Sequence, residues 1–123
     1  MRFVEYETWR IKEGVDRADY DRIIREWFKF LIDHKEELFK EWVSAKYYQQ
    51  TDRDGNPTGV FVMIFEYESL EAHHAYKERR KDWDGPYEEY KKVDPYQEHF
   101  DLDSVTCEYM QPLMTDCWFD YSK

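Results

Sequence analysis

The groups able to do chemistry in this 123-residue chain are a few histidines and a set of glutamates placed where strands are expected. His34 falls in register with Trp27, Leu31 and Leu38, so a helix would aim its imidazole inward rather than at solvent. An imidazole held there can act as a general base, bind a metal or hydrogen-bond a ligand, and it can equally satisfy a backbone carbonyl. His73 and His74 are adjacent, and a helix points neighbours about 100° apart, so they cannot chelate one ion together. His73 borders the inward face of its segment, whereas His74 points to water. With both helices on one side of a sheet, His34 and His73 would meet as the polar centre of the cleft and are the candidate catalytic pair.

Glu5, Glu7, Glu66, Glu68 and Glu108 sit in strand-like segments whose other residues are apolar, although acids are poor strand formers. The first strand is expected beside both the third and the fourth, so some of these carboxylates converge. Two outcomes follow: acid–base work or a hard-metal site, or ion pairing with Arg2, Arg10, Lys46 or Arg79. Cys107 and Cys117 lie ten positions apart without metal-ligand spacing, and Cys107 reads as a plain strand residue. No metal and no cofactor is expected on these signals. Glu88-Glu89 and the charged run from Lys77 to Asp82 read as solvated surface.

The elements that must position these groups are marked by period. Phe3–Ile11 reads as a first strand, with Phe3, Trp9 and Ile11 on one side and Val4 and Tyr6 on the other. Asp16 is placed to cap a helix whose stripe is Tyr20, Ile23, Ile24, Trp27, Phe28, Leu31, Leu38 and Phe39. Trp42–Gln50 reads as a second strand and Gly59–Glu68 as a third, joined through the Asp-, Gly-, Asn- and Pro-bearing run 51–58. Ser69 is placed to cap a helix from Leu70 to about Lys81, with Ala72, Ala75, Tyr76, Arg79 and Trp83 inward. A short helix follows Pro86 through Tyr87, Tyr90 and Val93, then a fourth strand spans Val105–Gln111. This order, strand-helix-strand-strand-helix-strand, is the split βαβ arrangement: an α+β, ferredoxin-like four-stranded antiparallel sheet with both helices on one face.

Composition excludes some functions and points to association. With 28 acidic against 18 basic residues the formal charge is −10, which repels phosphate backbones, so nucleic acid is not an expected partner. No stretch approaches a membrane span, and the opening Met1-Arg2-Phe3-Val4-Glu5 enters a strand without a leader pattern, so a cytoplasmic location with reduced thiols is expected. In the third strand Val60, Val62 and Ile64 alternate with Phe61, Met63, Phe65 and Tyr67, giving two apolar faces. One helical layer covers one face; the other needs a partner, and a second copy of the chain is the natural one. Residues 1–112 read as the single domain, and 113–123, with Trp118, Phe119 and Tyr121, as an aromatic tail packing on the body or the partner.

Two stretches, Val4-Glu5-Tyr6-Glu7-Thr8-Trp9-Arg10-Ile11-Lys12-Glu13-Gly14 and Phe65-Glu66-Tyr67-Glu68-Ser69-Leu70-Glu71-Ala72-His73, resemble the opening strand and the third-strand–second-helix junction of the dimeric α/β barrel superfamily. Its ferredoxin-like domains include the NIPSNAP, stress-responsive barrel, EthD and antibiotic-biosynthesis monooxygenase families. The resemblance implies two sheets closed face to face into a barrel, with ligands entering a cleft between helices and sheet. Haem-degrading and monooxygenase relatives place an asparagine on the first strand, where this chain has Glu5, Tyr6, Glu7 and Thr8. The leading expectation is therefore a homodimer binding a small apolar or aromatic molecule in that cleft, with Tyr6, Trp9, Trp27, Phe28, Leu31 and Tyr76 against the ligand. The alternatives are a cofactor-free monooxygenase-like enzyme using His34 or His73, and a structural dimer without a cavity.

Overall fold

A computed structural model describes residues 1–121. Its strands are β1 (Phe3–Trp9), β2 (Trp42–Thr51), β3 (Pro57–Tyr67) and β4 (Thr106–Met110), and its helices are α1 (Arg17–Asp33), α2 (Lys35–Leu38) and α3 (Leu70–Arg80). The strands form one antiparallel sheet in the order β2-β3-β1-β4. This is the predicted ferredoxin-like βαββαβ order, with each strand close to its expected bounds.

The alternating side chains of the strands separate into two faces. Phe3, Glu5, Glu7 and Trp9 of β1 and Phe61, Met63, Phe65 and Tyr67 of β3 are buried beneath the helices. Register stacks Glu5 beside Phe65 and Glu7 beside Met63, and places Tyr109 and Cys107 of β4 on their other side. The opposite face carries Val4, Tyr6 and Thr8, Val60, Val62 and Ile64, and Met110, which no helix covers.

The α1 stripe appears as its period dictates, with Tyr20, Ile23, Ile24, Trp27 and Leu31 buried. Asp16 occupies its N-terminal boundary in extended backbone but makes no side-chain cap, whereas the Ser69 side chain accepts from the Ala72 N–H, 3.0 Å away, and caps α3. In the hairpin, Gly55 takes a φ of +87° and the Asp52 carboxylate collects the N–H groups of Asp54 and Asn56. Residues 82–105 form an irregular flap, with two 3₁₀ turns (Glu89–Lys92 and Leu102–Ser104), that lays Tyr87, Tyr90 and Phe100 into the core on the helical side. The core is tied by aromatic hydrogen bonds: Trp9 Nε1–H donates to Tyr20 Oη (2.9 Å), the Tyr20 and Tyr47 hydroxyls are hydrogen-bonded to each other (2.7 Å), and Trp27 Nε1–H donates to Tyr90 Oη (2.9 Å). In the tail, Trp118, Phe119 and Tyr121 are 59%, 88% and 79% exposed within one chain. Residues 122 and 123 of that tail lie outside the described residues.

Candidate functional site

Two glutamates two positions apart on a strand share a face, and here that face is the inner one. Glu5 is 2% and Glu7 9% exposed. Above them α3 projects His73, Tyr76, Lys77 and Arg80, an i, i+3, i+4, i+7 stripe. Tyr67 closes one side, and Tyr90 and Tyr96 of the flap close another. Tyr67 Oη donates to Glu5 Oε1 (2.9 Å), Lys77 Nζ to Glu5 Oε2 (3.3 Å), and Cys107 Sγ lies 3.3 Å from the same oxygen. Tyr96 Oη donates a short hydrogen bond to Glu7 Oε2.

The two carboxyls are pushed in opposite directions. Burial alone would raise Glu5, but the Lys77 ammonium and hydrogen bonds from Cys107 and Tyr67 outweigh it and hold Glu5 below its ordinary value. Burial raises Glu7; the Tyr96 hydrogen bond opposes this without cancelling it, and the Glu5 charge adds to it. Burial pushes the Cys107 thiol up to about 11. It also lowers His73, against the pull of Glu5. The Arg80 guanidinium lies over Trp83 and Tyr90, 5.4 and 5.9 Å from the ring centres. The free space among these groups is about 10 Å³, room for roughly one water. Buried Tyr76 Oη, Trp42 Nε1 and both His73 ring nitrogens have no hydrogen-bond partner.

A larger space opens beside this chamber. Between α1–α2 and β2 runs a groove of about 450 Å³, walled by Phe28, Leu31, Ile32, Trp42, Val43 and Ala45, with Asp33, Lys35, Glu36 and Ser44 supplying its polar groups. Trp42 lines both the groove and the chamber, so its indole is the partition between them. Just before it, Glu41 is clamped by Arg79 through two bonds of 2.7 and 2.6 Å, and Arg79 also donates to the Leu38 carbonyl and to Tyr87 Oη.

The structure distributes the six expected ligand-binding residues among four places. Trp27 and Tyr76 line the chamber, Phe28 and Leu31 the groove; Trp9 is wholly buried against Phe100, and Tyr6 is on the uncovered face of the sheet. His34 and His73 do not share a cleft. The α1 helix ends at Asp33, and His34 at φ −113° leaves the helical register, so extrapolating the stripe past Leu31 misplaces it. Its Nδ1 lies 3.0 Å from the Phe30 carbonyl, its ring stacks on Phe30 at 4.0 Å, and it borders a separate recess with Glu26, Lys29 and Val93. His73 instead contacts Phe3, Tyr67 and Tyr109 and lies 3.5 Å from Glu5 Oε1. Of the expected ion pairs, Glu66 does take Arg2, whereas Glu5 takes Lys77 and Arg79 takes Glu41. Lys77 and Arg80 were hidden by their charge, because an apolar-periodicity search assigns them to solvent. The signal that finds them is the Glu5/Glu7 alternation, which demands cations above it. Tyr90 lies in the segment expected as a short helix after Pro86, which forms a 3₁₀ turn, and Tyr96 comes from irregular backbone with no period to read.

No family model matches the sequence, and no curated protein does. Solved structures do match. A NIPSNAP family protein from Agrobacterium tumefaciens str. C58 is 18% identical, with TM-score 0.58 over 92% of this chain and 94% of that one. A candidate antibiotic biosynthesis monooxygenase from Bordetella bronchiseptica is 12% identical, with TM-score 0.59 over 92% and 98%. A dimeric protein of unknown function and ferredoxin-like fold from Bacteroides fragilis NCTC 9343 is 8% identical, with TM-score 0.58 over 89% and 95%. At these identities the likeness is one of fold: this chain shares the ferredoxin-like fold of these structures.

Proposed function

We propose that this protein binds a small, mostly apolar or aromatic molecule in the groove between α1–α2 and β2, and that it works as a homodimer joined through the uncovered sheet face. The observation that carries the binding reading is the groove itself. Its volume of about 450 Å³ suits a small ligand, its walls are Phe28, Leu31, Trp42 and Ala45, and a few polar groups at Asp33, Lys35 and Ser44 can orient a bound molecule. The same cavity argues against a purely structural dimer. Dimerisation is supported by Val4, Tyr6, Val60, Val62, Ile64 and Met110 on one helix-free face, and by the dimeric Bacteroides neighbour. Both cysteines are free, which fits a reducing, cytoplasmic setting.

A second reading, a cofactor-free monooxygenase-like enzyme, is favoured by one observation. Rotation of Trp42 would join the groove to a buried acid–tyrosine pair, Glu7 with Tyr96, able to pass a proton to or from a bound molecule. The Bordetella neighbour has the same fold. The test of binding is a backbone amide NMR titration with the neutral probe N-phenyl-1-naphthylamine. Shifts confined to residues 28–36 and 42–45 are expected; shifts elsewhere, or none, would remove the groove reading. Additional shifts at Glu7 and Tyr96 would favour the enzyme reading.

A further inference from the structure

We propose that Glu5, Glu7 and Cys107 form a binding site for a transition-metal ion of the zinc class, with His73 held against Glu5 beside it. The site is independent of the groove reading and lies on the other side of Trp42.

The sheet register assembles the three donors. Glu5 and Glu7 alternate on β1, and Cys107 is the direct cross-strand partner of Glu7 on the same face. One carboxylate oxygen from each glutamate and the Cys107 sulfur all lie within 4.8 Å of one another, so a single ion among them can reach all three. Carboxylates gathered in a core are not a site by themselves, since Lys77 and the tyrosines already hydrogen-bond to them. The independent observation is His73. Its side chain is buried, its Nε2 points at Glu5 Oε1 from 3.5 Å, and neither ring nitrogen has a hydrogen-bond partner. A buried imidazole whose Nδ1 is unused, and whose Nε2 faces without a well-formed hydrogen bond a carboxylate that already neighbours a thiol, is placed to orient that carboxylate around a bound ion.

The donor chemistry selects the ion. Thiolate and carboxylate together, with an imidazole against one of the carboxylates, suit Zn²⁺ and its relatives Co²⁺ and Fe²⁺, and disfavour Mg²⁺ and Ca²⁺, which take oxygen ligands. Tyr67 and Tyr96 already hold the two carboxylates and would keep orienting them around an ion. Lys77 is the competitor. Its ammonium shares Glu5 Oε2 with the Cys107 thiol, and its side chain, one-third exposed, can withdraw to water. Cys107 is on the exposed edge strand β4, which gives an ion a way in.

The test uses chelator-treated full-length protein titrated with Co²⁺. One equivalent per chain should produce a near-ultraviolet thiolate-to-cobalt charge-transfer band, and one equivalent of Zn²⁺ should remove it. Cys107→Ser should abolish the band, whereas Cys117→Ser should leave it. His73→Phe should weaken Co²⁺ binding by at least an order of magnitude, and Lys77→Met should tighten it. Should Cys107→Ser fail to fold, wild-type thiol titration decides: Zn²⁺ should protect one of the two cysteines from a thiol reagent and spare the other. No charge-transfer band in the wild type, a band that survives in folded Cys107→Ser, or two equally reactive thiols with Zn²⁺ present would overturn the site.

Discussion

Replacing Arg79 by Met should cost more than any surface ion pair, because Arg79 joins three parts of the fold. Its guanidinium makes two bonds to Glu41 (2.7 and 2.6 Å) and one to the Leu38 carbonyl (3.1 Å), and its Nε–H donates to Tyr87 Oη (3.0 Å). Exposed pairs contribute about 0–1 kcal/mol, whereas breaking a buried pair costs about 3–5 kcal/mol by stranding the remaining charge. The Glu41 side chain is 10% and the Arg79 side chain 27% exposed, so water partly screens the loss and we expect about 2 kcal/mol. At roughly 3–5 °C per kcal/mol for a chain of this size, Tm should fall by about 6–10 °C at pH 7. The pH dependence follows from Glu41. Burial would raise its carboxyl, but the Arg79 hydrogen bonds and charge outweigh that and hold it below its ordinary 4.5 in the folded state. A depressed carboxyl contributes stability above its unfolded pKa and loses it as pH falls through the folded one. The gap between wild type and Arg79→Met should therefore be full at neutral pH and shrink below about 4.5. Urea unfolding of both proteins at pH 7 and pH 3.5 measures it. A gap under about 0.5 kcal/mol at pH 7, or one that widens in acid, would refute the reasoning.

Three further outcomes are expected. Tyr20→Phe strands the Trp9 indole N–H and the Tyr47 hydroxyl, so urea unfolding should show a loss of about 2 kcal/mol; less than about 0.5 would mean that the partners re-pair. Wild-type protein at micromolar concentration should scatter light as twice the chain mass, and Ile64→Asp, on the uncovered face, should unfold the chain rather than release a folded monomer. Truncation after Pro112 removes Trp118, Phe119 and Tyr121, which one chain leaves in solvent; if they pack on the partner, the dimer should dissociate at higher concentration and melt lower, and unchanged values of both would detach the tail from the interface.

The legible parts of this fold are those where one period governs many residues. Tyr20, Ile23, Ile24, Trp27 and Leu31 are buried because a 3.6-residue repeat leaves them no other face, and Phe61, Met63, Phe65 and Tyr67 because a two-residue repeat does the same. The break at His34 was not legible: no Pro or Gly marks it, and Leu38 and Phe39 are buried past it as an unbroken stripe would suggest. In α3 the inward stripe is His73, Tyr76, Lys77 and Arg80, too polar to register as a core face, so the reading by apolar residues rotated the helix toward Ala75 and Arg79. The flap was legible only in part: the short helix expected after Pro86 appears as the 3₁₀ turn Glu89–Lys92, with Tyr87 and Tyr90 buried, but the irregular backbone beyond it imposes no spacing on Tyr96, which closes the chamber with Tyr90. Half of the candidate site was thus present as types and alternation, Glu5 and Glu7 above all, and the other half depended on tertiary placement.

The central claim is that the groove between α1–α2 and β2 takes a small apolar molecule, and the most direct measurement is equilibrium binding of N-phenyl-1-naphthylamine, followed by its fluorescence, to wild type and to Val43→Trp. Val43 lines the groove and is partly exposed where β2 shifts register, so a larger side chain fills the groove without entering the core. Saturable binding at one site per chain is expected in the wild type, with a loss of at least about tenfold in affinity in Val43→Trp, which is about 1.4 kcal/mol. Absence of saturable binding, or equal affinity in the two proteins, would contradict the claim.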